Sequence, residues 1–200
     1  MAQNLYIIIG TSCMNHWQEI KSMRKNSGFT LIELMIVIVV LVVLAAISVP
    51  IFLSWLPEYR LRSAADDLYA HLQHAKMQAI RNNNNWAVQF VESTNSYTIY
   101  SDYKTTSDTG TAVKTINMSD HGSGVGYGNG NAPQSATGAA APFNNVNYLS
   151  NWVVFNRRGM VNILGYVYLS NNAGSARTVG TPAMAGVVRL RRWAGGSNWP

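Results

Sequence analysis

A single carboxylate at the head of a long apolar run is the group in this chain most in need of a chemical reason. Glu33 stands five residues after Gly28, and from Leu34 to Leu56 no side chain carries a charge. A carboxylate dragged to the centre of a spanning helix costs up to about 3 kcal/mol, so such an acid is by default there for a partner. Four arginine and tryptophan side chains near the carboxy terminus offer a different chemistry. In a strand, Arg189 and Arg191 fall on one face about 7 Å apart, Arg192 on the other, and Trp193 returns to the first. Two guanidinium groups at that spacing suit successive phosphates, and an indole beside them can stack on an unpaired base. Arg157 and Arg158 extend this patch if their turn lies nearby. The plainer reading is a solvated edge strand whose charges block edge-to-edge aggregation.

The remaining candidates are weaker. His71 and His74 sit three apart with Asp67 one turn before, a spacing at which two imidazoles can share a metal. Zinc needs a third and fourth ligand, and beyond residue 28 only His121 remains as an imidazole. Solvated helix-face histidines are the expectation, and no metal. The run from Gly122 to Gly128 has the glycine content of a phosphate loop but neither its lysine nor a following helix. No Ser/His/Asp arrangement stands out by spacing, and the one cysteine, Cys13, precedes the apolar run. Neither an enzyme nor a cofactor is expected.

The elements that must position these groups begin with the apolar run. Leu34 to Leu56, if helical, is about 35 Å long against a hydrocarbon core of about 30 Å. Its fifteen Leu, Ile, Val and Phe residues up to Leu53 return about 4 to 9 kcal/mol on the insertion scale. It therefore inserts despite Glu33. Lys21, Arg24 and Lys25 precede it and keep that end cytoplasmic by the positive-inside rule, while Arg60 and Arg62 beyond it weaken the asymmetry without reversing it.

The segment Lys25-Asn26-Ser27-Gly28-Phe29-Thr30-Leu31-Ile32-Glu33-Leu34 resembles the processing site of type IV prepilins and type II secretion pseudopilins. The resemblance implies cleavage by a prepilin peptidase between Gly28 and Phe29, and N-methylation of Phe29 by the same enzyme. It makes Glu33 the family's glutamate at the fifth mature position, used in assembly with other pilin subunits. It also implies a single pass through a bacterial inner membrane, with the carboxy-terminal domain periplasmic. Residues 1–28 are then a leader. Met23 would begin a compact one, Met-Arg-Lys-Asn-Ser-Gly, which makes residues 1–22 an upstream extension; a long leader is the alternative. Cleavage leaves 172 residues with twelve Lys/Arg, eight Asp/Glu and no cysteine. A domain without disulfides must be held by packing and strand pairing.

Residues 29–56 form the membrane or filament-core part of one long helix and residues 57–82 its amphipathic part, with Pro50 and Pro57 expected to bend or loosen it. Leu61, Ala65, Leu68, Leu72, Ala75 and Ala79 recur at spacings of four and three, one apolar stripe, with Arg62, Asp66, Tyr69, Gln73 and Lys76 opposite. Residues 83–200 read as a β-rich domain. Trp86–Phe90 and Tyr97–Tyr100 make a hairpin, and residues 101–147 a long Gly-rich loop with at most a short strand near Val113–Met118. Strands follow at Asn151–Phe155, Val161–Leu164 and Gly165–Leu169, then a turn at 171–174 and a last strand at Val187–Trp193. The expected fold class is α+β, a long helix followed by an antiparallel sheet.

Ala65-Asp66-Asp67-Leu68 through Ala75-Lys76-Met77-Gln78-Ala79-Ile80, Phe155-Asn156-Arg157-Arg158-Gly159 and Gly186-Val187-Val188-Arg189-Leu190-Arg191 resemble the GspH/FimT family of minor pilins and pseudopilins. The implied function is a structural subunit of a type IV pilus or of a type II secretion pseudopilus. The last motif also resembles, loosely, the basic terminal strand of FimT-like pilins that bind DNA, which implies DNA as an alternative partner, taken up through a filament.

Overall fold

The computed structural model describes residues 28–196 and Trp199. The expected leader, with Met23, Cys13 and the basic residues Lys21, Arg24 and Lys25, lies outside the described residues except for Gly28. The chain divides into two compact units, residues 1–47 and 48–200. One helix, α1 (Leu31–Arg81), contributes to both and is helical through Pro50 and Pro57.

In the first unit the described residues are all exposed, and the helix there is apolar on every side. A helix without a polar face has no orientation that satisfies water, so it needs lipid or other helices around it. Its length and composition suffice to cross a membrane.

The second unit has a core of its own. Leu61, Ala64, Ala65, Leu68, Leu72, Ala75 and Ala79 are fully buried, so the stripe read from the sequence is the packing face. Arg62 and Asp66 are exposed and ion-paired, 3.5 Å apart, whereas Tyr69, Gln73 and Lys76 are half-buried at its margins.

The stripe packs under two antiparallel sheets of four strands each rather than the single sheet expected. The first has the order β3-β2-β1-β5, with β1 Trp86–Val91, β2 Ser96–Ser101, β3 Thr111–Asn117 and β5 Trp152–Phe155. The second has the order β4-β6-β7-β8, with β4 Val125–Tyr127, β6 Gly165–Asn171, β7 Ala176–Ala183 and β8 Val187–Arg192. Side chains of alternating parity from both sheets meet the helix: Trp86, Val88 and Phe90 of β1, Val167 and Leu169 of β6, Val179 of β7 and Val188 of β8.

Three elements differ from the sequence reading. Residues 161–164 form no strand; Val161 makes one bridge to Phe155, and the Asn162 amide caps the edge of β5 by accepting the Val154 N–H at 3.1 Å. Strand β7, unassigned in the sequence, lies between β6 and β8. Within the Gly-rich stretch, β4 is held from a distance. Asn95, at the turn between β1 and β2, donates its amide to the Val125 carbonyl at 3.0 Å and accepts the Tyr127 N–H at 3.1 Å. A Cβ on Gly126 would stand 2.9 Å from that amide oxygen, so a side chain there would push the Asn95 amide out of its place.

Candidate functional site

The residues around the expected processing site lie at the start of α1. Gly28 and Phe29 precede it, and Phe29 is 79% exposed. A Cβ built on Gly28 meets nothing within 4 Å, so nothing in the described fold requires glycine there. Thr30, just before the helix, accepts the Glu33 N–H on its hydroxyl at 3.3 Å, while its carbonyl accepts the Leu34 N–H at 3.2 Å. Glu33 thus sits in the first turn, where the helix dipole favours an acid. Thr30-Leu31-Ile32-Glu33 has the spacing of a capping box, a local signal for the start of a helix at this point.

The histidines go separate ways. His71 Nδ1 lies 2.7 Å from the Tyr97 hydroxyl, and its Nε2 lies 3.3 Å from Lys114 Nζ on β3. Burial, and then the Lys114 ammonium, lower the His71 pKa below its ordinary value. His74 bonds Gln78 within the helix, and His121 pairs with Asp67 at 3.6 Å. Among the described residues no three His, Cys, Asp or Glu side chains gather into a metal-binding group.

The carboxy-terminal arginines alternate across β8 as strand geometry requires. Arg189 pairs in register with Gly180 and Arg191 with Thr178. The two share a face with Tyr166 and Tyr168 of β6. Arg189 is exposed, whereas Arg191 is half-buried. Its guanidinium lies 5.9 Å from the centre of the Tyr166 ring and donates to the Ala136 carbonyl at 3.5 Å. Trp193 packs on the same aromatic cluster and gives its indole N–H to the Gly196 carbonyl at 2.9 Å. Arg192 faces the helix side and lies 3.8 Å from Glu58, which also holds Arg177 of β7 at 2.8 Å.

Arg157 and Arg158 are exposed on a turn that Asn156 builds by accepting the Arg158 and Met160 N–H groups at 2.9 and 3.1 Å. This turn docks on the β7–β8 connection: a Cβ on Gly186 would collide with the Gly159 carbonyl, and Val161 donates to the Met184 carbonyl at 3.0 Å. Both arginines line a cleft of about 470 Å³ with Asn83, Asn85, Asn156 and Met160. Among the described residues no carboxylate lies within ion-pair distance of Arg157, Arg158, Arg189 or Arg191.

A helix whose first half is apolar and long enough to cross a membrane, with an acid in its first turn, and whose second half packs under two antiparallel sheets, defines an α+β protein. Residues 64–183 match the model of the family described as type II transport protein GspH, and residues 23–49 match that of the prokaryotic N-terminal methylation motif. The chain belongs to the GspH family. Among curated proteins the sequence finds no match. Among solved structures it is similar to the type IV minor pilin FimU of Pseudomonas aeruginosa, at 14% identity and a TM-score of 0.44 over 70% of this chain and 92% of that one. It is also similar to the minor pseudopilin EpsH of the Vibrio cholerae type 2 secretion system, at 12% identity and 0.44, over 66% of this chain and 95% of that one. The GspH match stops before β8, so Arg189, Arg191, Arg192 and Trp193 lie beyond it.

Proposed function

We propose that the chain is a minor pilin or pseudopilin, a structural subunit of a type IV pilus or type II secretion pseudopilus, and not an enzyme. A prepilin peptidase cuts between Gly28 and Phe29, Phe29 is methylated, and the apolar helix anchors the subunit once in the bacterial inner membrane with its sheets periplasmic. Assembly transfers that helix from lipid to the helices of other subunits. The observation that carries the reading is the division of α1. From Leu31 to Trp55 its side chains are exposed and almost all apolar, while its 61–79 half is packed under the sheets. The methylation motif covers the start of the exposed part.

Glu33 tests the assembly step. In lipid the carboxylate has no partner; beside a neighbouring subunit's charged amino terminus it gains an attraction that is much larger in a low dielectric than in water. Glu33→Ala is expected to leave insertion and cleavage intact and to cut incorporation into purified filaments by tenfold or more. Incorporation at the wild-type level contradicts the pairing, and is what an acid that merely reaches the interface would give.

A second reading, DNA binding on the filament surface, is favoured by the exposed guanidinium groups of Arg157, Arg158 and Arg189, none paired with a carboxylate among the described residues. Arg191, Arg192 and Trp193 are the other members of the expected patch. A gel shift across a salt series reads it. Arg189→Ala/Arg191→Ala should weaken binding alike for all sequences and make the salt slope shallower by about one to two contacts. No shift at low salt, or an unchanged double variant, rejects it.

A further inference from the structure

The segment between β4 and β5 lies across the outer face of the second sheet. Ala136 donates its N–H to the Tyr168 hydroxyl at 2.9 Å, and the Trp199 indole N–H reaches the Gln134 carbonyl at 2.6 Å. Tyr168 N–H donates to Asn145 at 2.7 Å, and Val146 bridges to Val167. Where this segment doubles back it leaves an open pocket of about 270 Å³, lined by Ser135, Thr137, Ala139, Phe143, Asn144, Asn147 and Tyr168.

The pocket is built rather than incidental. Ser135 is buried, its hydroxyl accepts the Thr137 and Ala139 N–H groups at 3.3 and 2.9 Å, and it lies 2.9 Å from the Thr137 hydroxyl. Phe143 is half-buried and meets the Tyr168 ring edge-on, with centroids 4.8 Å apart. One wall is therefore rigid and aromatic and another rigid and hydroxylic. By contrast, the side-chain amides of Asn144 and Asn147 are exposed and engage no partner among the described residues. Each retains two donors and an acceptor at the mouth of the pocket.

We propose that this pocket binds a neutral saccharide, with one sugar ring against Phe143 and its hydroxyls on the amides of Asn144 and Asn147. The lining carries no charge, so it selects neither an anion nor a cation. Amides and a hydroxyl beside an aromatic face match a ligand that is itself half hydroxyl edge and half C–H face. An extended peptide would need a free strand edge, and Val146 already occupies that of β6. The size, just under the usual lower bound of about 300 Å³ for ligand sites, suits a single ring, and so few contacts suit weak binding.

The test is titration calorimetry of the membrane-extracted chain with cellotriose, maltotriose and chitotriose. The detergent must be a phosphocholine, because glucoside and maltoside headgroups are themselves sugars. At least one trisaccharide should bind saturably and independently of salt, and Asn144→Ala/Asn147→Ala should weaken it tenfold or more while Arg189→Ala leaves it unchanged. Both asparagine side chains are exposed and unbonded, so the double variant keeps the fold, which its circular dichroism checks. No saturable binding by any of the three, binding undiminished in the double variant, or binding that fades with salt each overturns the proposal. None of these outcomes bears on filament incorporation, which the Glu33 experiment reads separately.

Discussion

Gly28 and Glu33 owe nothing to the packing of the described fold. A side chain at Gly28 would meet open space, and the proposed cleavage gives a reason for glycine there, a peptidase that must approach this peptide bond closely. Gly28→Val is therefore expected to leave the fold unchanged and to accumulate uncleaved chain, seen as a single slower band on a denaturing gel; normal processing would contradict it. Both residues were legible because their signal is local, a glycine, an acid and an apolar run at fixed spacing. His71 was not. Its environment is assembled by Tyr97, Lys114, Asp67, His74 and His121, and Lys114 lies 43 residues away in sequence. Burial and Lys114 hold His71 below the ordinary value of 6.5, so the unfolded chain takes up a proton that the folded chain resists. Stability then falls as pH drops through 6.5 and below it. His71→Gln should flatten that dependence in urea unfolding followed between neutral and mildly acid pH, and an unchanged profile would assign the effect to other groups.

At the scale of elements, the helix was the most legible part because its stripe repeats over five turns. Leu68 is fully buried at its centre, and Leu68→Ala is expected to cost about 3 kcal/mol, read from the urea midpoint. A loss below about 1 kcal/mol would show that the stripe does not carry the core. Strands were legible where apolar residues alternate, as in β1. They were hidden where glycine and proline interrupt, as at Gly180 and Pro182 of β7, or where pairing is long-range, as in β4 on Asn95. The ion pair between β7 and the helix was equally invisible. Arg177 is only 10% exposed at its side chain and Glu58 35%. Glu58→Ala leaves a nearly buried guanidinium without its carboxylate. The expected cost is about 2 kcal/mol, under the 3 to 5 of a fully buried pair because Glu58 is partly in water. Glu58→Gln should recover part of it through the remaining hydrogen bond; equal losses in the two variants would contradict that share for the hydrogen bond and assign the whole cost to the missing charge.

For the whole molecule, the fold class followed from order alone, one helix and then strands, but the number of sheets did not. A sequence shows which strands follow one another, and the split into β3-β2-β1-β5 and β4-β6-β7-β8 is made by three crossings of the chain, from β3 to β4, from β5 to β6 and, by the longest connection, from β4 to β5. The Gly-rich stretch of that crossover, which reads as loop, also supplies the walls of the proposed saccharide pocket. What unites the parts is a chain whose exposed apolar helix needs lipid or other helices and whose packed remainder does not. We propose that this helix is freed at Gly28 to become a filament subunit. Mass spectrometry of the chain recovered from membranes and from sheared filaments measures it directly. One amino-terminal peptide is expected in both, beginning at Phe29 and carrying a single methyl group. A chain recovered with its terminus anywhere else, or never found in filaments, would contradict it.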